Sequence, residues 1–136
     1  QRTGHINHST CSKPDEFIRY IDELNNDCFV ACLDIGHAAL VREDPDEFIK
    51  KLGNKRLKCL HVHDVDGVND SHTLPFYGNI NWEKVMKALA DIDYKGDLTF
   101  EADSFMEEKP VEILPDCALL MAKTGRYLVD LFEKNK

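Results

Sequence analysis

CLHVHD, residues 59–64, places Cys59, His61 and His63 on one face of an extended chain and Leu60 and Val62 on the other. Two more short apolar stretches also end in side chains that bind metals: CLDIGH, residues 32–37, carries Asp34 and His37, and LTFEAD, residues 98–103, carries Glu101. In the first of these, Val30, Cys32 and Asp34 face one way and Phe29, Ala31 and Leu33 the other. In the last, Asp97, Thr99 and Glu101 oppose Leu98 and Phe100. Each stretch therefore predicts a strand with one apolar face for packing against helices and a second face that turns polar at its C-terminal end. Three such ends predict a single metal site at a common sheet edge.

Helical patterns separate the strands. Phe17, Ile18, Ile21 and Leu24 follow the cap-like pair Ser12 and Asp15, giving a first helix. Asp44, Pro45 and Glu47 open a second, which carries Phe48, Ile49 and Leu52 and stops at Gly53. Asn81 caps a third with the stripe Trp82, Val85, Met86 and Leu89, ending near Tyr94-Lys95-Gly96. A fourth runs from about Pro115, with Cys117, Leu120, Thr124, Leu128 and Leu131 on one side. The order helix, strand, helix, strand, helix, strand, helix is consecutive β/α repetition. Right-handed crossovers bring the C-terminal ends of parallel strands to one edge, which is where the ligands fall.

The 136 residues, 43% hydrophobic and 31% charged, suit one folded domain or part of a larger one. No apolar run reaches the length of a membrane span, and QRTGHINHST has neither a signal-peptide layout nor an initiating Met, so a fragment or processed chain is expected. Five cysteines without paired metal-finger spacing, three of them inside predicted strands, point to a reducing cytoplasm. A net charge of −8 without a Lys/Arg block disfavours gripping a nucleic-acid backbone. It does not exclude an anionic substrate, because a bound cation outweighs the mean surface charge locally.

The ordered motifs LDIGHA (33–38), LHVHDVDGVNDSHTLPFYGNINW (60–82) and LTFEAD (98–103) resemble the C-terminal half of a sugar isomerase/epimerase of the xylose-isomerase-like barrel superfamily, which also includes metal-dependent apurinic endonucleases. The resemblance covers nearly the whole chain. It implies an α/β fold, a partial (β/α)8 TIM barrel of about three C-terminal βα units plus a preceding helix, with residues 1–136 as the C-terminal part. Gly4 to Ser9 resembles the loop after the strand before them.

The resemblance makes Asp34, His63 and Glu101 ligands of a divalent ion (Mn, Mg, Co or Zn). It gives Glu101 a second role as a proton-transfer carboxylate, and gives His37 a substrate role, or a metal role in the endonuclease branch. Asp70 and His72 match an Asp-x-His pair that holds further zinc in that branch, while turn chemistry in the VNDSH loop is the rival reading. Some ketose 3-epimerases carry an Arg six residues after the metal-binding His, where Asn69 stands here. Many relatives have Pro-Gly-x-Gly where this chain has Pro75-Phe76-Tyr77-Gly78, a loop that offers a substrate wall. The family's fourth ligand, a Glu, would precede Gln1.

A divalent ion held by carboxylates and imidazole polarises a carbonyl and its neighbouring hydroxyl. A carboxylate then removes the adjacent carbon-bound proton, giving an enediolate whose reprotonation yields the epimer or isomer. The expected partners are a sugar or sugar phosphate and either the missing N-terminal half of the barrel or another copy. The competing expectations are an apurinic endonuclease and a noncatalytic metal- or sugar-binding remnant. His5 and His8 carry no assigned role. His61 stays open between a core hydrogen bond and the site.

Overall fold

The computed structural model of the protein describes residues 8–136; His5 and the first part of the Gly4–Ser9 loop lie outside the described residues. Three strands, β1 (Ala31–Asp34), β2 (Leu57–Val62) and β3 (Thr99–Phe100), form a parallel sheet in the order β1-β2-β3. Around them run α1 (Pro14–Leu24), α2 (Ile35–Leu40), α3 (Pro45–Arg56), α4 (Trp82–Asp91) and α5 (Leu114–Lys134). This is the partial barrel that the motifs predict: three consecutive βα units with one helix ahead of them.

The core lies between the sheet's apolar face and the helices. Leu33, Leu60 and Val62 from the strands meet Phe48, Ile49 and Leu52 of α3, Trp82, Met86 and Leu89 of α4, and Leu128 of α5, all buried. Each such side chain contributes about 1.5–3 kcal/mol by leaving water. Cys32 and Cys59, on the opposite face, are exposed. The alternation read from the sequence is thus the inside/outside alternation of the sheet.

The register contains one irregularity. Ala31 pairs with Leu57 but Cys32 pairs with Cys59, so Lys58 is an extra, unpaired residue of β2. Its carbonyl is held from α4's far end, where the Tyr94 hydroxyl lies 3.3 Å from the Lys58 oxygen and 3.0 Å from that of Asp97. A Cβ at Gly96 would overlap both the Lys58 carbonyl and the Tyr94 ring, so this close approach requires glycine. Burial, and after it the neighbouring Cys59, push the Tyr94 phenol up to about 12, which keeps it a hydrogen-bond donor.

Several helix ends differ from the expected ones. Lys13, rather than Ser12 or Asp15, is the N-cap residue of α1, and Pro14 at the first position replaces side-chain capping with a preset φ. Asp44 precedes α3 without a capping bond, again before a proline, and Gly53 breaks the helix at φ 66° before a last turn reaches Arg56. That turn is useful: Arg56 Nε and Nη2 grip the two Asp22 oxygens at 2.8 and 2.7 Å, tying α3 to α1. The short α2 was not expected, because six residues are too few for a readable period. Asn81 caps α4 as expected, accepting from Lys84 N at 3.1 Å. β3 is shorter than its motif, since it pairs with β2 only at His61↔Thr99 and Val62↔Phe100. No helix among the described residues is long and apolar enough to cross a membrane.

Tyr94→Phe should lower the unfolding free energy by about 1–2 kcal/mol in urea titration, because it takes the buried hydroxyl away from the Lys58 and Asp97 carbonyls.

Candidate functional site

Asp34 ends β1 and caps α2, and this double duty aims its carboxylate. Its Oδ1 accepts from His37 N at 2.7 Å and lies 2.9 Å from His63 Nε2, while Oδ2 is 3.0 Å from His37 Nδ1. His63 follows β2 and is fully buried, with its ring over Gly36; a Cβ there would overlap the imidazole. The glycine of the IGH motif is therefore a requirement of the histidine 27 positions later in the chain. Burial opposes charge on both partners. The mutual contact outweighs it, so the Asp34 carboxyl is held below its usual range and the His63 imidazole above its own.

The loop from residue 64 to 81 supplies Asp70 and His72, and the Asp64 carboxylate organises it from inside. Asp64 is fully buried. Its Oδ1 accepts from Val65 N at 2.9 Å and Ile80 N at 3.1 Å; Oδ2 accepts from Phe76 N at 2.9 Å and from Trp82 Nε1 at 2.8 Å. Its backbone exchanges two hydrogen bonds with Thr73, at 2.8 and 3.2 Å. A Cβ at Gly78 would overlap this carboxylate. Within the closed loop, Asp66 accepts from Asn69 N at 2.6 Å and Val68 N at 2.8 Å, and these bonds hold its carboxyl below the usual range.

The loop's tip meets α2. Asp70 lies 3.3 Å from His37 Nε2 and 3.2 Å from His72 Nε2. The His72 ring stacks on that of His63, with centroids 3.9 Å apart and planes 7° from parallel. His72 takes φ 37°, a left-handed conformation rare for histidine outside tight turns. Its Nδ1 lies 3.0 Å from the Glu101 carbonyl, which can only accept, so that nitrogen carries the proton and the neutral ring has its lone pair on Nε2. A lone pair and a carboxylate oxygen 3.2 Å apart repel unless a proton or cation lies between them.

Ligand atoms of His37, His63, Asp70 and His72 all fall within 4.8 Å of one another; those of Asp34, His61 and Glu101 form a second such set. The Asp34–His63 contact joins the two. The trio Asp34, His63 and Glu101 expected from the sequence is thus divided between adjacent sets. His61, which the sequence left open between core and site, is half exposed with Nδ1 against Glu101 Oε2 and 4.0 Å from Asp34 Oδ2. The reason is the register, which puts Asp34 beside His61. Two buried polar atoms, His63 Nδ1 and Glu101 Oε2, have no hydrogen-bond partner among the described residues; the His61–Glu101 contact lacks hydrogen-bond alignment. In the Pro75–Gly78 loop, Phe76 holds φ 77° and its half-exposed ring packs edge-on against Tyr127 of α5, centroids 5.7 Å apart.

A family described as xylose isomerase-like TIM barrel matches residues 4–119, and the chain belongs to it. It is 31% identical over 106 residues to the uncharacterised protein MJ1311 of Methanocaldococcus jannaschii, covering 76% of this chain and 36% of that one. It is 33% identical over 63 residues to fructoselysine 3-epimerase of Escherichia coli O157:H7, covering 46% of this chain and 22% of that one. Among solved structures it resembles an L-ribulose 3-epimerase (TM-score 0.69, 21% identity, 94% of this chain and 44% of that chain). A D-tagatose 3-epimerase-like protein gives TM-score 0.61 at 24% identity, covering 88% and 45%. At those identities the structures establish the fold. The chain spans less than half the length of each of these relatives.

Asp64→Ala would leave four donors without an acceptor, the buried Trp82 Nε1–H among them. We expect a loss of roughly 3 kcal/mol or more. The emission of Trp82, the single tryptophan, should move to longer wavelength as water enters.

The Asp34–His63 pair also makes stability depend on pH. With chelator present, the Asp34 share is complete above about pH 3.9, its unfolded value, and is lost as pH falls through the lowered folded one. The His63 share is complete below about pH 6.5 and is lost as pH rises through the raised folded value. Urea midpoints should therefore peak between those limits, and His63→Gln should flatten the alkaline side.

Proposed function

We propose that this chain is the C-terminal, ligand-bearing part of a metal-dependent sugar or sugar-phosphate isomerase or epimerase. The observation that supports this best is the pair of carboxylate–imidazole sets at the C-terminal edge of the parallel strands, the edge where barrels of this kind place their chemistry. The epimerase names among the relatives give the substrate class. A divalent cation suits the donors: mixed nitrogen and oxygen ligands match borderline ions, and Glu101 Oε2, against His61 Nδ1 but without an aligned hydrogen bond, is a buried oxygen that a cation would satisfy. Asp34, His61 and Glu101, with His63 across the Asp34 contact, would hold it.

When bound, such an ion polarises a substrate carbonyl and the hydroxyl beside it. The protein's residues do the rest. Glu101 takes the carbon-bound proton between those two oxygens and returns a proton to the enediolate, either on the opposite face through a second carboxylate or on the neighbouring carbon. His37, half exposed at the mouth, donates to a substrate oxygen and fixes its orientation. His72, with Nδ1 committed to the Glu101 carbonyl, holds the backbone of the proton-carrying residue in place.

The His37, His63, Asp70 and His72 set favours one second reading, a multi-zinc phosphodiesterase resembling the apurinic endonucleases. The charge of −8 weighs against a DNA-binding surface. Metal content, a panel of ketoses and ketose phosphates, and an abasic-DNA duplex, all applied to the longer protein, separate the two readings. Turnover of a sugar with one ion supports the first; cleavage of the duplex with two or more zinc ions supports the second.

In that protein His63→Ala should lose the metal and with it turnover, whereas His37→Ala should keep the metal and raise KM; equal metal loss in both would favour the second reading. Glu101→Gln, with metal occupancy measured alongside, should slow exchange of the carbon-bound proton with solvent by about 10²–10⁴-fold. The 136-residue chain alone should bind metal weakly and turn over negligibly, with both regained when the N-terminal half is supplied.

A further inference from the structure

The inner face of the sheet carries a second pair of potential ligands that the reading above does not use. Cys32 of β1 and Cys59 of β2 are register partners, because the unpaired Lys58 shifts β2 by one residue. In an unbulged pairing of the same sequence Cys32 would stand opposite Lys58, and Cys59 beside Leu33, which packs against the helices. With it, the two thiols project from the same face of strands about 4.8 Å apart, a spacing that both sulfurs of a single bidentate site can span. Both are free and exposed.

The neighbours make this pair chemically distinct from the edge above it. Cys32 precedes Asp34 by two residues, and Cys59 precedes His61 by two, on the same face. The sulfurs therefore lie one layer, roughly 6–7 Å, beneath the carboxylate–imidazole set. Oxygen and nitrogen donors suit hard and borderline ions; paired thiolates suit soft ones. The other cysteines, Cys11, Cys28 and Cys117, have no cysteine as a strand partner.

We propose that Cys32 and Cys59 form a vicinal dithiol site for a soft, thiophilic metal or metalloid ion of low coordination number, held in place by the β2 bulge. The site is independent of the edge ligands and does not need the isomerase reading to hold.

Phenylarsine oxide added to the reduced 136-residue chain is the direct probe. Two As–S bonds form, the arsenic-bound oxygen leaves as water with the two thiol protons, and no electrons are transferred. We expect uptake of one arsenical per chain, with two of the five thiols lost together. Peptide mass mapping of the wild-type adduct should join the segment containing Cys32 to that containing Cys59. Cys32→Ala and Cys59→Ala should each weaken capture by at least about a hundredfold, as expected when a bidentate contact becomes single. Adducts bridging Cys11, Cys28 or Cys117, capture on single thiols only, or no uptake at all would overturn the proposal. Because the mapping uses the wild-type chain, it decides the question even if a variant fails to fold.

Discussion

The loop that completes the candidate site depends on a carboxylate that belongs to neither ligand set. Asp64 lies fully buried with no cation beside it in the hydrogen-bond pattern, its charge met by three backbone N–H groups and the Trp82 indole. A buried carboxylate so surrounded fixes the chain at several points at once, because each donor lost would be left facing an unsolvated charge. The points fixed here are the start, middle and end of the loop between β2 and α4. The loop can then carry Asp70 and His72 to α2, and the same carboxylate anchors the indole that begins α4.

Around this anchor the ligands hold one another. Asp34 caps a helix whose third residue is His37, so the backbone bond that starts α2 also sets the distance between carboxylate and imidazole. His63 needs Gly36 beneath it, and His72 needs both the His63 ring and the Glu101 carbonyl. The cluster is thus positioned by contacts among β1, β2, β3 and a single loop. Few of its members can be displaced alone, which is what a preorganised ligand set requires.

Much of this was legible in the sequence. Strand parity alone separates Leu33, Leu60 and Val62 from Cys32, Asp34, Cys59 and His61, and the cap at Asn81 is a local pattern with a local cause. The ordered motifs carry Asp34, His37, His63, Asp70, His72 and Glu101, which the fold distributes over two adjacent sets. What escaped depends on relations between segments. Whether His61, on the ligand face but one layer deeper than His63, came within reach of Asp34 and Glu101 turned on the alignment of β2 with its neighbours, which no single strand contains. Asp64 reads as one more acid in HVHDVDG, since nothing local reveals that Phe76, Ile80 and Trp82 will turn toward it. The Gly78 that follows was the available clue: a glycine before a buried tryptophan marks a place where something else must come close.

The unpaired Lys58 has a consequence for how this sequence can vary. Because it has no partner in β1, removing it alone would leave Leu57, Cys59, Leu60 and His61 opposite Ala31, Cys32, Leu33 and Asp34 in an unbroken ladder, whereas a residue lost within Cys59–Val62 would put one side of the gap on the wrong face. Chain length is therefore under a stricter rule after position 58 than at it. Lineages of this barrel should vary in whether a residue stands at position 58 at all, while seldom tolerating a gap in the four that follow.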